Sequence, residues 1–410
     1  MTAKKKILII CHNTLHNDPR ILRQIDALKD YYEITAAGYS DPCKNVGFIQ
    51  LQNYEYRMID YFFNYPWLFR KFFAFVTQVY LKTSGLRTRI INGILKSRLF
   101  KGSGYYYERN YWTKIKKIHY DQLKNETPDL IIANDIEALP IAARLKKGKI
   151  KLVFDAHEYH PEELAEIPEW REREQPTVLH LCNKYIKKAD LMMTVSAPIA
   201  REYKKLFGVE PVLVINAPPY EDLKVNKVGE KIRLIHHGGA VKQRLLEETI
   251  NVIEHLDDRY TLDLILVSSG NEYLDELKQK YGKNKQIKFL EPVPTSEISK
   301  LINKYDIGIY ILPPLNFNNI NALPNKFFEF IQARLAIAIG PMAAMAEVVK
   351  EHNLGVVSKE FTSASLASAI KNMSVEEIYE RKKQSDVVAS KFCSEMNKKI
   401  ILMEVNKLLV

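Results

Sequence analysis

Short, unbroken apolar runs recur along this chain, each followed by a helical pattern, and this alternation constrains the fold more than any other feature. Lys6 to Cys11, Glu33 to Ala37, DLIIAND (129–135), KLVFDAHE (151–158), ADLMMTVS (189–196) and PVLVINAPP (211–219) have the β-branched, uninterrupted character of strands buried on both faces. Pro19 to Lys29 and the alanine-rich 138–146 carry helical periodicity between them. Strand–helix alternation of this kind implies βαβ units and an open parallel sheet covered on both sides. The stretch from Ala217 to Lys231 is polar and aperiodic, after which the alternation restarts. IRLIHHGG (232–239) reads as a strand running into a Gly-Gly turn and Leu245 to Leu256 as a helix. LDLILVSSG, IKFLEP, DIGIYILPP and LAIAIG continue the series, LAIAIG as its last strand, with a helix from Asn325 to Arg334. The expectation is α/β, two Rossmann-like domains facing a cleft. The N-terminal domain spans 1–216 with an insertion at 57–117, the linker 217–231 and the C-terminal domain 232–385. A terminal helix at 386–410 is placed back against the N-terminal domain. In 410 residues, two cores of about 200 residues fit the size at which single cores stop growing.

Charge narrows the function. The formal net charge is +11, but thirteen basic residues and two acidic ones lie between Arg57 and Lys117, an excess equal to the whole. The remainder is neutral, which argues against a chain coated for nucleic acid. Within the basic region, Leu68, Phe69, Phe72, Phe73, Phe75, Val76, Val79 and Tyr80 share one helical face, with Arg70, Lys71 and Lys82 opposite. That pattern suits an anionic membrane surface; the plain alternative is a helix packed on its domain through the aromatic face. The first apolar run reads as a strand rather than a leader, and no run is long enough to cross a bilayer, so the expected place is cytoplasmic, peripheral on the inner face of the membrane. Cys11, Cys43, Cys182 and Cys393 form no CxxC pair.

Several chemistries lose their support. There is no G-x-G-x-x-G after a strand, no P-loop and no G-x-S-x-G. His12/His16 and His157/His160 complete no H-E-x-x-H motif, so no metal site is expected. His236 and His237 end a strand, so their side chains should point to opposite faces, at most one of them toward a ligand. Three places remain. Gly238-Gly239 followed by Lys242, Arg244 and a helix make a permissive turn with cations at a helix amino end, favourable for phosphate, though a plain βα turn would look the same. ALPNKFFEFIQA (322–333) puts Lys326 in the first turn of a helix, where a cation opposes the dipole unless an anion joins it. Glu329 follows three residues later on the same face, a carboxylate suited to a vicinal diol; the alternative is a solvated Lys/Glu couple. His157 sits just past a central strand, as a sugar-facing or a capping histidine.

With these residues the chain resembles the GT-B glycosyltransferases, most closely the retaining family 4. DPRILRQIDAL, IIANDIEALPIAARL, FDAHEYHPEE and ADLMMTVSAPIAREY fit its first domain. HHGGAVKQRLLEETINVI, VPTSEISKLINKYDIGIYI and LPNKFFEFIQA fit its second, all in order. The resemblance implies a nucleotide-sugar donor, UDP- or GDP-linked, as substrate with no cofactor and no metal. It implies Arg244 and Lys326 on the diphosphate, Gly239 in the turn beneath it and Asn325 beside Lys326 in the donor set. Glu329 is implied on the ribose and His157 near the transferred sugar. The family's E-x7-E motif is half present, because eight residues before Glu329 stands Asn321, an amide that can bond a sugar hydroxyl but cannot act as a base. Asn318 and Asn319 are neighbouring candidates, and Arg334 and Ala336 stand where many relatives have Gly and Pro. The expected activity is transfer of a sugar to a saccharide acceptor, lipid-linked, in surface polysaccharide assembly. A nucleotide-sugar epimerase and a non-catalytic nucleotide-sugar-binding membrane-complex subunit are the alternatives.

Overall fold

A computed structural model describes residues 4–43, 46–52, 104–268, 270 and 272–410. The aromatic helix expected at 68–82, with most of the basic segment, lies outside these residues. The strands are β1 (Lys6–Ile10), β2 (Glu33–Gly38), β3 (Gly47–Gln50), β4 (Leu130–Asn134), β5 (Lys151–Ala156), β6 (Leu191–Thr194) and β7 (Val212–Leu213). They make one sheet in the order β3-β2-β1-β4-β5-β6-β7. A second sheet has the order β10-β9-β8-β11-β12-β13. Its strands are β8 (Ile232–Ala240), β9 (Tyr260–Ser268), β10 (Ile287–Leu290), β11 (Ile307–Tyr310), β12 (Ala336–Ile339) and β13 (Gly355–Val357). The strand pairs run parallel in both. By contacts the chain divides into two compact units, one of residues up to Ala156 with Ile167–Met192, the other of His157–Glu166 with Met193–Leu408.

The first unit follows from its apolar runs. Ile7 to Ile10 and all of β4 are buried, as strands covered on both faces must be. Helix α1 (Pro19–Leu28) is opened by Asp18, whose carboxylate accepts from the N–H groups of Arg20 and Ile21, with Pro19 in the first position where its missing N–H costs nothing. Gln24 of α1 donates to Asn134 Oδ1 at 2.8 Å and to Asp155 Oδ2 at 2.6 Å, tying α1 to the ends of β4 and β5 through a buried amide–carboxylate network. Helix α2 (Asp135–Leu145) starts directly after β4 with Asp135 in a left-handed conformation, φ 64. The basic residues at 109–117 stand on helices Gly104–Tyr111 and Lys114–Leu123. Arg109, Lys114 and Lys117 are exposed, and Lys116 pairs with Glu137 at 3.3 Å.

In the second unit each strand feeds two cores. Ile232 and Leu234 of β8 face one cluster with Ile307, Ile309, Ala336 and Ala338, while Ile235 faces the other with Tyr310, Ile337 and Ile339. Three sequence expectations change here. LAIAIG is not the last strand, since β13 pairs with β12 beyond it; its three residues are too few to show a period. The two glycines of IRLIHHGGA do not leave the sheet as a turn, because β8 stays paired with β9 as far as Ala240. The helix expected from Leu245 to Leu256 is α3 (Leu246–Ile250) followed by a 3-10 turn at Asn251–His255. Leu245 itself is left-handed, φ 44.

Four further helices complete the part of this unit used below: α4 (Phe317–Ile320), α5 (Asn325–Gln332), α7 (Val375–Ala389) and α8 (Ser394–Leu409), with α6 (Ala343–Glu351) between α5 and α7. Gly308 of β11 seats α5, since a Cβ there would come within 2.5 Å of the Phe330 ring. Residues 214–231 hold no helix or strand, and the backbone of three of them is met by side chains from the helices. Asn397 of α8 accepts from Ile215 N–H and donates to its carbonyl, Glu395 accepts from Tyr220 N–H, and Gln332 accepts from Glu221 N–H. Arg334, just past α5, is left-handed (φ 57) and fully buried. It donates to Asp386 of α7 at 2.7 Å, to the Glu221 carbonyl at 2.7 Å and to the Gln332 carbonyl. Here the arginine's bonds offset the backbone strain that a glycine would avoid. Arg334→Ala, which keeps the strain and takes the donor from three acceptors, one of them buried, should therefore lower unfolding stability by roughly 3 kcal/mol. Arg334→Gly should recover about 1 kcal/mol of that loss. Equilibrium denaturation of the two variants checks the order.

Candidate functional site

The carboxyl ends of parallel strands are where open α/β sheets hold ligands, and in the second unit β8 and α5 meet there. The contact that organises the place is between Lys326 and Gly238. Gly238 has φ 127, a conformation closed to residues with a side chain, and a Cβ on it would lie 3.1 Å from Lys326 Nζ and 3.2 Å from Cε. The lysine fills the space that the missing side chain leaves. Gly239, the glycine expected beneath a phosphate, has no such conformation, and a Cβ there would meet only Val241 Cγ2 at an ordinary 3.6 Å.

Lys326 is only 5% exposed and Glu329 4%, so the pair is not a solvated couple on a helix surface. The Lys326 ammonium stands 3.3 Å from His236 Nε2 and 4.1 Å from the centroid of the Tyr310 ring. Burial and the Arg244 guanidinium push its pKa well below the usual lysine range, and Glu329 opposes them. Glu329 is pushed up to about 7 by burial, against the pull of Lys326. Its Oε2 lies 3.5 Å from Nε2 of His237, whose pKa burial and Lys326 lower to about 3; the imidazole is neutral and the contact is no ion pair. His237 also meets Phe330 edge-on. Both histidines thus touch α5, where the alternation of a strand allowed one. The gap at Gly238 lets the long lysine side chain reach round to the His236 side of β8, while Glu329 stays on the His237 side.

Arg244 closes a 3-10 turn (Lys242–Arg244), half-buried, and its charge acts on Lys326, His236 and Tyr310. The strained Leu245 follows it, and α3 is fastened beyond through Thr249, whose Oγ1 accepts from the N–H and donates to the carbonyl of Ile311, just past β11. Asn325 opens α5 half-buried behind Pro324. Asn321 is the C-cap of α4. Its side chain donates to the Phe317 carbonyl at 2.9 Å and its own carbonyl accepts from Ser196. Asn318 brackets one residue of the 157–166 segment, accepting from Tyr159 N–H and donating to the Tyr159 carbonyl. Asn319 donates to the Pro313 carbonyl. His157, buried, follows β5 at the head of that segment. The structure therefore gathers Arg244, Lys326 and Glu329 with His236, His237, Tyr310 and Gly238. It gives Asn318 and Asn321 backbone-holding bonds.

The arrangement offers two cations and a diol-competent carboxylate at one strand end. Residues 78–217 match the family described as Glycosyltransferase Family 4, and residues 221–389 the family described as Glycosyl transferases group 1. The chain is a family 4-like GT-B glycosyltransferase. The fold of this glycosyltransferase is shared by HepE of Anabaena in complex with UDP-glucose, at 13% identity and a TM-score of 0.63, covering 98% of this chain and 100% of the other. It is shared also by sucrose-phosphate synthase of Thermosynechococcus elongatus (12% identity, TM-score 0.65, 99% and 98% covered). A third is an α,α-trehalose-phosphate synthase (UDP-forming) of Burkholderia vietnamiensis (12%, 0.61, 98% and 100%). No curated protein matches the sequence significantly.

The sequence put Gly239 rather than Gly238 beneath the phosphate, left open which of His236 and His237 meets a ligand, and did not single out Tyr310. The sequence signal for Gly238 was the doubled glycine; which of the two takes the positive φ is decided by where Lys326 lies. Burial of Glu329 has a measurable sign. Its folded pKa, about 7, exceeds the ordinary 4.5, so the fold favours the protonated form and loses stability as pH rises from 4.5 through 7. Glu329→Gln removes this titration. Relative to wild type it should gain up to roughly 3 kcal/mol between pH 4.5 and pH 8, read from denaturant midpoints across that range.

Proposed function

We propose that the glycosyltransferase moves a hexose from a nucleotide-diphosphate donor to a saccharide acceptor, with the donor diphosphate on Lys326 and Arg244. The observation that carries this is a nearly buried ammonium whose strongest electrostatic neighbour is a second cation. Such a pair is costly alone and is stabilised by an anion that bonds both. A diphosphate leaving group gains charge as the glycosidic bond breaks, and fixed cations in a buried site stabilise that charge without reorganising. Glu329 is positioned to accept from two ribose hydroxyls, and Asn325 stands beside Lys326 on the donor side. In this mechanism His157 meets the transferred sugar and Asn321 contributes an amide where a carboxylate base would stand. Transfer then retains configuration by front-face attack, the departing phosphate taking the acceptor proton, with no divalent ion required because Lys326 and Arg244 carry its role. The UDP and UDP-glucose named with HepE and the UDP-forming synthase favour a uridine donor over a guanosine one.

The acceptor is proposed to be lipid-linked, in surface polysaccharide assembly, with the chain peripheral on the inner face of the membrane. Support comes from the basic aromatic sequence of 57–117 and the exposed Arg109, Lys114 and Lys117. Among the described residues no helix is long and apolar enough to cross a membrane. A basic surface should bind vesicles containing phosphatidylglycerol and release them as salt rises; equal sedimentation with neutral vesicles would contradict it.

For the donor, calorimetry with UDP and GDP should show one binding tightly. Lys326→Ala should weaken that binding at least tenfold, and turnover with the matching nucleotide sugar should survive EDTA. Unchanged affinity in Lys326→Ala would remove the diphosphate from this place, and loss of turnover on chelation would overturn the metal-free step.

A further inference from the structure

Of His236 and His237 at most one was expected to face a ligand, and both ring nitrogens of His236 are engaged, one by the sheet and one by Lys326. Nδ1 lies 2.9 Å from the carbonyl oxygen of Ile309 on the neighbouring strand β11. A carbonyl only accepts, so Nδ1 carries the proton and donates it. The other nitrogen, Nε2, then holds a lone pair, and it faces the Lys326 ammonium at 3.3 Å. Burial, followed by Lys326, lowers the pKa of this imidazole well below its usual value, in keeping with the neutral tautomer that the carbonyl selects. Tyr310, its ring centroid 5.5 Å from that of His236 and tilted 33° to it, presents its ring face to the same ammonium. Gly238 leaves the room in which Nζ sits.

We propose that His236 is a positioning residue that aims Lys326 at the donor diphosphate, accepting one ammonium proton at Nε2 and leaving the other two N–H groups for phosphate oxygens. The proposal rests on the reading of Lys326 as a diphosphate cation. A lysine side chain has four rotatable bonds and a symmetric head, so without an acceptor behind it the ammonium would have no set direction. The tautomer is fixed through the backbone of β11, which makes the aim a property of the sheet and independent of ligand. The strand neighbour His237 has a different part, beside Glu329.

The test compares variants by calorimetric affinity for UDP, or for GDP if that binds tighter, and for the corresponding nucleoside, which lacks phosphate. His236→Leu, similar in bulk but unable to accept, should weaken nucleoside diphosphate binding about tenfold and change nucleoside binding less than twofold. In the Lys326→Ala background His236→Leu should have less than a twofold further effect, because it acts through Lys326. His236→Gln, whose Oε1 can reach the ammonium, should stay within about threefold of wild type, while the shorter His236→Asn should not. Equal loss of nucleoside and diphosphate affinity, or additive losses in the double variant, would make His236 merely structural and overturn the proposal. If His236→Leu does not fold, the Gln and Asn pair decides, equal effects overturning it. Lys326→Ala separates the two levels. A loss there with none in His236→Leu defeats only the positioning role, whereas no loss there defeats the donor-site reading itself.

Discussion

A lysine ammonium held in the place of a missing side chain is the constraint on which the site depends. Gly308 lets the Phe330 ring lie against β11 and so seats α5, and Gly238 leaves the room into which the first turn of α5 sends Lys326. The result is unfavourable for the protein alone: a cation at the positive end of a helix, nearly dry, with Arg244 near. Among the described residues no carboxylate lies within ion-pair distance of it. The neutral imidazole of His236 and the face of Tyr310 are what the fold supplies instead, and neither cancels a charge. Glu329, three residues on, is pushed the other way and tends to hold its proton.

Such opposed shifts fit the proposed donor, which brings its own charge and hydroxyls. A bound diphosphate would favour the charged form of Lys326 that burial disfavours, and hydroxyl donors would favour the carboxylate form of Glu329. The rest of the second unit accepts this cost by fixing the surroundings. Thr249 fastens α3 behind the Arg244 turn, and the buried Arg334 ties the end of α5 to α7 and to residue 221 through three hydrogen bonds. Left-handed, strained backbone at Leu245 and Arg334 lies beside and after the charged cluster in sequence, held by packing and side-chain bonds.

The two sheets were legible in the sequence because strands buried on both faces must be written as continuous apolar runs; β1, β4, β8 and β12 show it. Arg244, Lys326 and Glu329 were legible because charges opposing a helix end or sitting among phenylalanines conflict with their local surroundings. What stayed hidden depended on contacts remote in sequence. Strand β13 is too short for a period. Leu245 breaks a helical pattern whose spacing is otherwise sound. Which of His236 and His237 meets the cluster was not legible, because strand alternation takes no account of a lysine reaching through a glycine gap. Asn321 stands at the acidic position of a motif, but only the α4 helix end shows that its amide is donated to Phe317. The charge excess, so visible in composition, falls mostly on 53–103, outside the described residues.

The central claim is that the Lys326 cluster is a diphosphate seat. A crystal structure of the full chain with UDP or GDP tests it most directly. Phosphate oxygens are expected within hydrogen-bonding distance of Lys326 Nζ and the Arg244 guanidinium, with the ribose hydroxyls on Glu329. A nucleotide bound elsewhere, with Lys326 still facing only His236 and Tyr310, would contradict it.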